Sequence, residues 1–179
     1  MASFYKWYLA RLTARPLLTQ CISTGFLFGA GDLIAQVAEE ATGDYKSYDL
    51  QRTARMVFHG GVVFAPIVTR WYGLVSRVVK IPGRPNLQAF GRMVVDQAVW
   101  APVGIASFYV SMGVLQGHSW QSIEQDLRDK WYPTMVGNYA VWPLVQVINF
   151  RFMPLQHRLL FVNLVSIGWN AFLSWFSSN

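Results

Sequence analysis

Apolar residues gather in five long blocks, approximately 17–38, 54–78, 92–116, 132–150 and 157–176, separated by short polar links. Each block approaches the roughly 20 residues that a helix needs to cross a bilayer. None shows the two-residue alternation that a membrane barrel sustains over about ten residues. Polar and small residues inside the blocks recur instead at three- and four-residue spacing, the period of a helix. Cys21, Gly25, Gly29, Asp32 and Gln36 fall on one face of the first block, and His59, Pro66, Arg70 and Arg77 on one face of the second. Asp96, Trp100, Gly104, Ser107 and Ser111 do so in the third. Asn138, Trp142, Gln146 and Asn149 line the fourth, and Asn163, Asn170 and Ser174 the fifth. The pattern predicts an all-α fold, a multi-pass transmembrane bundle of four to five helices whose polar stripes face one another.

The chain divides into a basic amphipathic segment, 1–16, and a helical bundle, 17–179. The first segment carries Lys6, Arg11 and Arg15, and the first acid in the protein is Asp32. An acid-free, arginine-bearing start fits a mitochondrial address or a helix lying on a membrane surface. Residues 79–91 form a basic, turn-rich link, and 117–131 carry a mixed-charge surface helix turn. No internal repeat is evident and no domain boundary is placed.

Composition narrows the solvent. Of 179 residues, 53% are hydrophobic and 13% charged, against about 25% charged in soluble domains. A domain this small has too much surface to bury so much apolar length in water. Trp7, Tyr8, Trp71, Tyr72, Trp120, Trp131, Tyr132 and Trp175 stand near block ends, where aromatic rings settle at the headgroup boundary. The net charge is +6 without any block of basic residues or nucleic-acid motif. The excess therefore reads as topology and contact of basic loops with anionic lipid, and nucleic acid is excluded as a partner. With five crossings, nine Lys and Arg lie on the N-terminal side and five on the other, which turns the N-terminus toward the positive-inside compartment. The single Cys21 rules out an internal disulfide.

Three blocks hold a formal charge, Asp32, Arg70 and Asp96. An Asp or Arg at mid-membrane costs about 2.5–3.5 kcal/mol, so each needs a reason to be there. Arg70 could bridge Asp32 or Asp96 and staple the bundle, or a carboxylate could stand beside water and bias a passage toward cations and polar solutes. Shallow charges that snorkel to the interface are the third reading. The candidate intramembrane polar lining is Asp32, Gln36, Arg70, Asp96, Gln97, Asn138, Gln146, Asn149, Asn163 and Asn170. Gly25, Gly29 and Gly104 are candidates for close helix packing, and Pro66, Pro102 and Pro143 for kinks. The three His are scattered, and no metalloprotease, nucleophile-elbow, phosphate-loop or CxxC motif occurs. The chain therefore reads as no enzyme, without metal or cofactor.

Several strings resemble the Mpv-seventeen and peroxisomal membrane protein family. They are Arg15-Pro16 with Thr19, Gly31-Asp32 with Gln36, and Asp49, Arg52 and Arg55 ahead of Trp71-Tyr72. Asp96-Gln97 with Pro102 and Trp131-Tyr132-Pro133-Thr134 come next. The most specific block is Trp142-Pro143, Gln146, Asn149-Phe150, Pro154, Arg158 and Trp169-Asn170. Met153 through Arg158 look closest to its fungal, stress-induced branch, required for growth on ethanol at high temperature. The resemblance implies four spans, the mitochondrial inner membrane and no catalytic activity. It also implies a conduit for metabolites or ions that supports membrane potential and mitochondrial DNA maintenance under stress. The peroxisomal membrane is the alternative location. A non-channel structural or assembly protein is the alternative function, and a homo-oligomer around one path the alternative to a path within one copy.

Overall fold

A computed structural model describes the backbone of residues 2–41 and 47–177 and the side chains of 4–40 and 47–168. The side chains of Asn170, Ser174 and Trp175 therefore lie outside the described residues. The fold is all-α. Its helices are α1 (Ala2–Ala14), α2 (Pro16–Ala41), α3 (Leu50–Phe58), α4 (Ala65–Val78), α5 (Pro85–Val95), α6 (Ala101–Leu115), α7 (Trp120–Phe152) and α8 (Arg158–Ser177). A π-helical segment, His59–Phe64, joins α3 to α4, and a second, Asp96–Trp100, joins α5 to α6. Two helical stretches among the described residues, Pro16–Glu40 and Pro85–Leu115, are long and apolar enough to cross a membrane.

Contacts divide the chain into two units, one of residues 1–69 and 159–179, the other of residues 70–158. In the first unit α2 packs along α3 and the π segment next to it. Glycine makes that approach close. A Cβ on Gly61 would stand 3.0 Å from the Cys21 carbonyl oxygen, and one on Gly25 3.2 Å from that of Val57. Gly29 faces the Val57 side chain in the same seam. Between α1 and α2, Pro16 interrupts the ladder because it has no N–H to donate. The Thr19 hydroxyl reaches back across the break to the Arg11 and Arg15 carbonyls at 3.0 and 2.9 Å.

In the second unit α7 packs against α5 and α6. Its 33 residues make a rod of about 50 Å, longer than the roughly 30 Å of a hydrocarbon core. The segment 117–131, expected as a link, is mostly the first turns of this helix. Gly117, at φ 75°, ends α6, and Ser119 accepts from the Ser122 N–H to start α7. Arg128 then pairs with Glu124, and Lys130 with Asp126, one turn apart on an exposed face. Pro133 and Pro143 lie inside α7, which continues as α-helix through both. Gly104 faces the Trp100 ring of its own helix.

The expectation of no internal repeat is overturned. Asp49-Leu50-Gln51, Arg55-Met56-Val57, Ala65-Pro66 and Trp71-Tyr72 recur as Asn86-Leu87-Gln88, Arg92-Met93-Val94, Ala101-Pro102 and Phe108-Tyr109. Both copies carry a π segment that begins four residues after the Arg and ends on an aromatic residue directly before Ala-Pro. In each, the Ala N–H reaches five residues back, Ala65 to Gly60 and Ala101 to Asp96. Each widening lies just ahead of a proline, though Pro133 and Pro143 in α7 have no such turn. Proline offers no N–H and its ring strikes the carbonyl four residues earlier, and a wider turn just ahead of it relieves both. The extra residue in the first π segment shifts only Ala-Pro, to a spacing of 36, while the strings before and after it recur at 37.

Candidate functional site

Each unit holds a buried polar cluster. In the first, Asp32 and Gln36 lie one turn apart on α2, and Gln36 Nε2 donates to Asp32 Oδ2 at 2.7 Å. From the start of α3, Arg52 Nε donates to Asp32 Oδ1 at 2.7 Å and Thr53 Oγ1 to Oδ2 at 2.6 Å. The guanidinium also holds Glu39 through two parallel bonds of 2.7 and 2.9 Å. That bidentate Glu39 contact, with Asp32 adding to it, raises the Arg52 pKa further above its ordinary value. Asp49 caps α3 by accepting from the Arg52 N–H at 2.9 Å, and pairs with Arg55 at 3.6 Å. The Asp49 backbone is held in turn by Gln36, which accepts from its N–H at 2.7 Å. Every charge in this cluster therefore faces an opposite one. Elsewhere in the unit, Asn163 Nδ2 donates to Thr24 Oγ1 at 2.8 Å, with both residues buried.

The second cluster is built differently. Asp96 opens its π segment and is fully buried, at 0% exposure. Trp71 Nε1 donates to its Oδ1 at 2.8 Å and Gln97 Nε2 to its Oδ2 at 3.0 Å. Gln97 accepts from Asn138 Nδ2 at 2.9 Å through its amide, and from the Tyr139 hydroxyl at 3.0 Å through its backbone carbonyl. Further along α7, Asn149 Nδ2 donates to Gln146 Oε1 at 2.9 Å, and Gln146 Nε2 to the Tyr72 hydroxyl at 3.0 Å. Phe150 meets the Tyr72 ring edge-on at 5.6 Å, and Trp100 stacks on Trp71 at 6.2 Å. Among the described residues, no cation pairs with Asp96. Its partners are all neutral donors.

Arg70 is exposed and bridges neither carboxylate; the partner of Asp32 is Arg52. The face read through His59, Pro66, Arg70 and Arg77 is broken by the π segment, because each added residue rotates the rest of the helix by about 100°. His59 is buried, whereas Arg70 and Arg77 are exposed. The aromatic residues also divide. Trp7, Trp120 and Tyr132 are exposed. Trp71 and Tyr72 serve the Asp96 cluster, and Trp131 Nε1 donates to the Pro102 carbonyl at 3.0 Å. Arg52, Thr53 and Glu39 escape a reading of stripes because they lie at block ends. The Asp49 cap, three residues before Arg52, was the available signal.

The Mpv17 / PMP22 family model matches residues 113–174. The chain is similar to "Protein SYM1" of Gibberella zeae, 44% identical over 99% of both chains. It is also similar to "Protein sym-1" of Neurospora crassa, 44% identical over 94% of this chain and 96% of that one. "Protein SYM1" of Saccharomyces cerevisiae is 40% identical over 96% of this chain and 88% of its own. No solved structure matches the chain.

Proposed function

This chain belongs to the Mpv17 / PMP22 family of membrane proteins, and from that premise we propose that it forms a polar path for small metabolites or ions across the mitochondrial inner membrane. The observation that carries this reading is the contrast between the two carboxylates. A structural acid deep in a membrane protein is held by a cation, as Arg52 holds Asp32. Asp96 is instead surrounded by neutral donors, in a π-helical turn, and such turns collect at functional sites. A carboxylate kept in this way favours cations and polar solutes along a path beside Gln97 and Asn138.

The acid-free basic N-terminus and the family resemblance support the mitochondrial location, with the peroxisomal membrane as the alternative that fractionation distinguishes. Roles in membrane potential, in mitochondrial DNA maintenance and under heat or ethanol stress belong to the same proposal, as does the absence of catalysis. The competing reading is a structural protein of the organelle membrane. It is favoured by the Asp32–Arg52–Glu39 cluster, whose carboxylates are both held by one guanidinium.

Planar-bilayer recording of the purified protein separates the two. Discrete openings are expected, with a cation preference that weakens in Asp96→Asn. A folded protein that stays silent, or whose selectivity ignores that substitution, overturns the path reading.

A further inference from the structure

The second copy of the repeat holds an arginine whose acidic partner in the first copy has no counterpart, and a second arginine from the start of α8, Arg158, lies beside it. In the first copy Arg55 is paired with Asp49, six residues earlier. In the second copy Arg92 takes the place of Arg55, but Asn86 takes the place of Asp49. Arg92 has therefore kept its charge while the matching carboxylate has gone. Arg92 is 9% exposed, and 6% exposed Arg158 converges on the same spot.

Ser76, in the last turn of α4, joins the two. Arg92 Nη2 donates to its carbonyl oxygen at 3.1 Å, and Arg158 Nη1 to its hydroxyl at 2.6 Å. Arg92 Nε donates to the Val79 carbonyl at 3.1 Å and Arg158 Nε to that of Met153 at 3.2 Å. These carbonyls end α4 and α7, and part of each arginine's role is to cap them. Capping does not exhaust the donors, however. Each guanidinium has five N–H groups, and the hydrogen bonds account for two on each.

Charge is the larger matter. Among the described residues, neither guanidinium has an acidic partner. The other acids of this unit are engaged elsewhere: Asp96 by Trp71 and Gln97, Glu124 by Arg128, Asp126 by Lys130 and Asp129 by Gln125. Two like charges, both largely removed from water, repel each other unless an anion lies between them. Phe150 lies under Arg158 at 5.1 Å and fixes its plane. Lys80 and Arg84, on the link between α4 and α5, add to the positive field.

We propose that Arg92 and Arg158 form a binding site for a phosphate-class anion, held by the guanidinium donors that these hydrogen bonds leave over. Planar guanidinium forks suit phosphate oxygens. The anion is either the headgroup of an acidic phospholipid or a free phosphate-bearing solute, and the site stands whether or not the chain conducts.

Thermal unfolding of the purified full chain tests this. One arm adds inorganic phosphate to protein in neutral detergent. The other compares protein in phosphatidylcholine nanodiscs with protein in discs that also contain phosphatidylglycerol. Stabilisation in the first arm identifies a free anion, and stabilisation in the second arm alone identifies a lipid headgroup. Arg92→Gln and Arg158→Gln are each expected to weaken the response about tenfold or more, the loss of a charge-assisted bond pair. Arg128→Gln, on the exposed face of α7, leaves it intact.

Ser76→Asp supplies the missing carboxylate between the two guanidiniums. It is expected to abolish the response while the protein stays folded, which keeps the test decisive if the arginine variants unfold. No stabilisation in either arm, or a response unchanged in Ser76→Asp, overturns the site. The conductance reading fails separately, by silent bilayers.

Discussion

Asp32 shows at the scale of one residue how a membrane interior tolerates charge. Its side chain is 2% exposed, and Arg52, Gln36 and Thr53 place three donors on its two oxygens. Removing one member of a buried pair leaves the other uncompensated, which costs about 3–5 kcal/mol. Arg52 is one third exposed, so water screens part of that cost. Arg52→Met is expected to destabilise the folded chain by about 2–3 kcal/mol, read by chemical unfolding in detergent. Arg52→Lys keeps the charge but loses the fork on Glu39, and should fall between. A variant as stable as the parent would show that the cluster is decoration. Trp71→Phe examines the other carboxylate. It retains the ring against Trp100 but deletes the N–H to Asp96, which is expected to cost about 1–3 kcal/mol. A loss below the resolution of the unfolding curve would mean that another donor takes over.

At the scale of elements, the repeated unit of helix, π turn, Ala-Pro and helix accounts for where the polar residues point. The π turn moves His59 and Asp96 inward at matching positions, while Gly60 and Gly61 let α2 approach the first copy. Gly61→Ala would bring a methyl group to 3.0 Å from the Cys21 carbonyl. Backbone cannot yield as a flexible side chain does, so the change should cost about 1–3 kcal/mol of overpacking. Gly137, on α7 with nothing near its Cβ position, gives the control. Gly137→Ala should gain a few tenths of a kcal/mol, because alanine loses less backbone freedom in a helix. Melting curves of the two variants that moved together would refute this account of the seam.

For the whole molecule, the distribution of Lys and Arg predicts sidedness. Lys80 and His118 stand on successive links, on either side of the apolar stretch Pro85–Leu115. In a Cys21→Ser background, Lys80→Cys and His118→Cys should therefore label from opposite faces of sealed, oriented membrane vesicles with an impermeant maleimide. Lys80→Cys should label from the positive-inside face, shared with the N-terminus. Labelling of both from one face would remove that span and reverse the orientation of everything after it.

The helical class, the approximate limits of the apolar blocks, the membrane as solvent and the polar positions Asp32, Gln36, Asp96 and Gln146 are all legible in the chain. They depend on local quantities, namely periodicity, hydropathy and the cost of burying a charge. Which residue answers each charge was not legible. Arg52 rather than Arg70 meets Asp32, and Trp71 meets Asp96, across 20 and 25 residues of chain. Those choices turn on the phase of each helix. Two π turns, each just ahead of an Ala-Pro step, shift that phase after the point where a fixed period ceases to predict it.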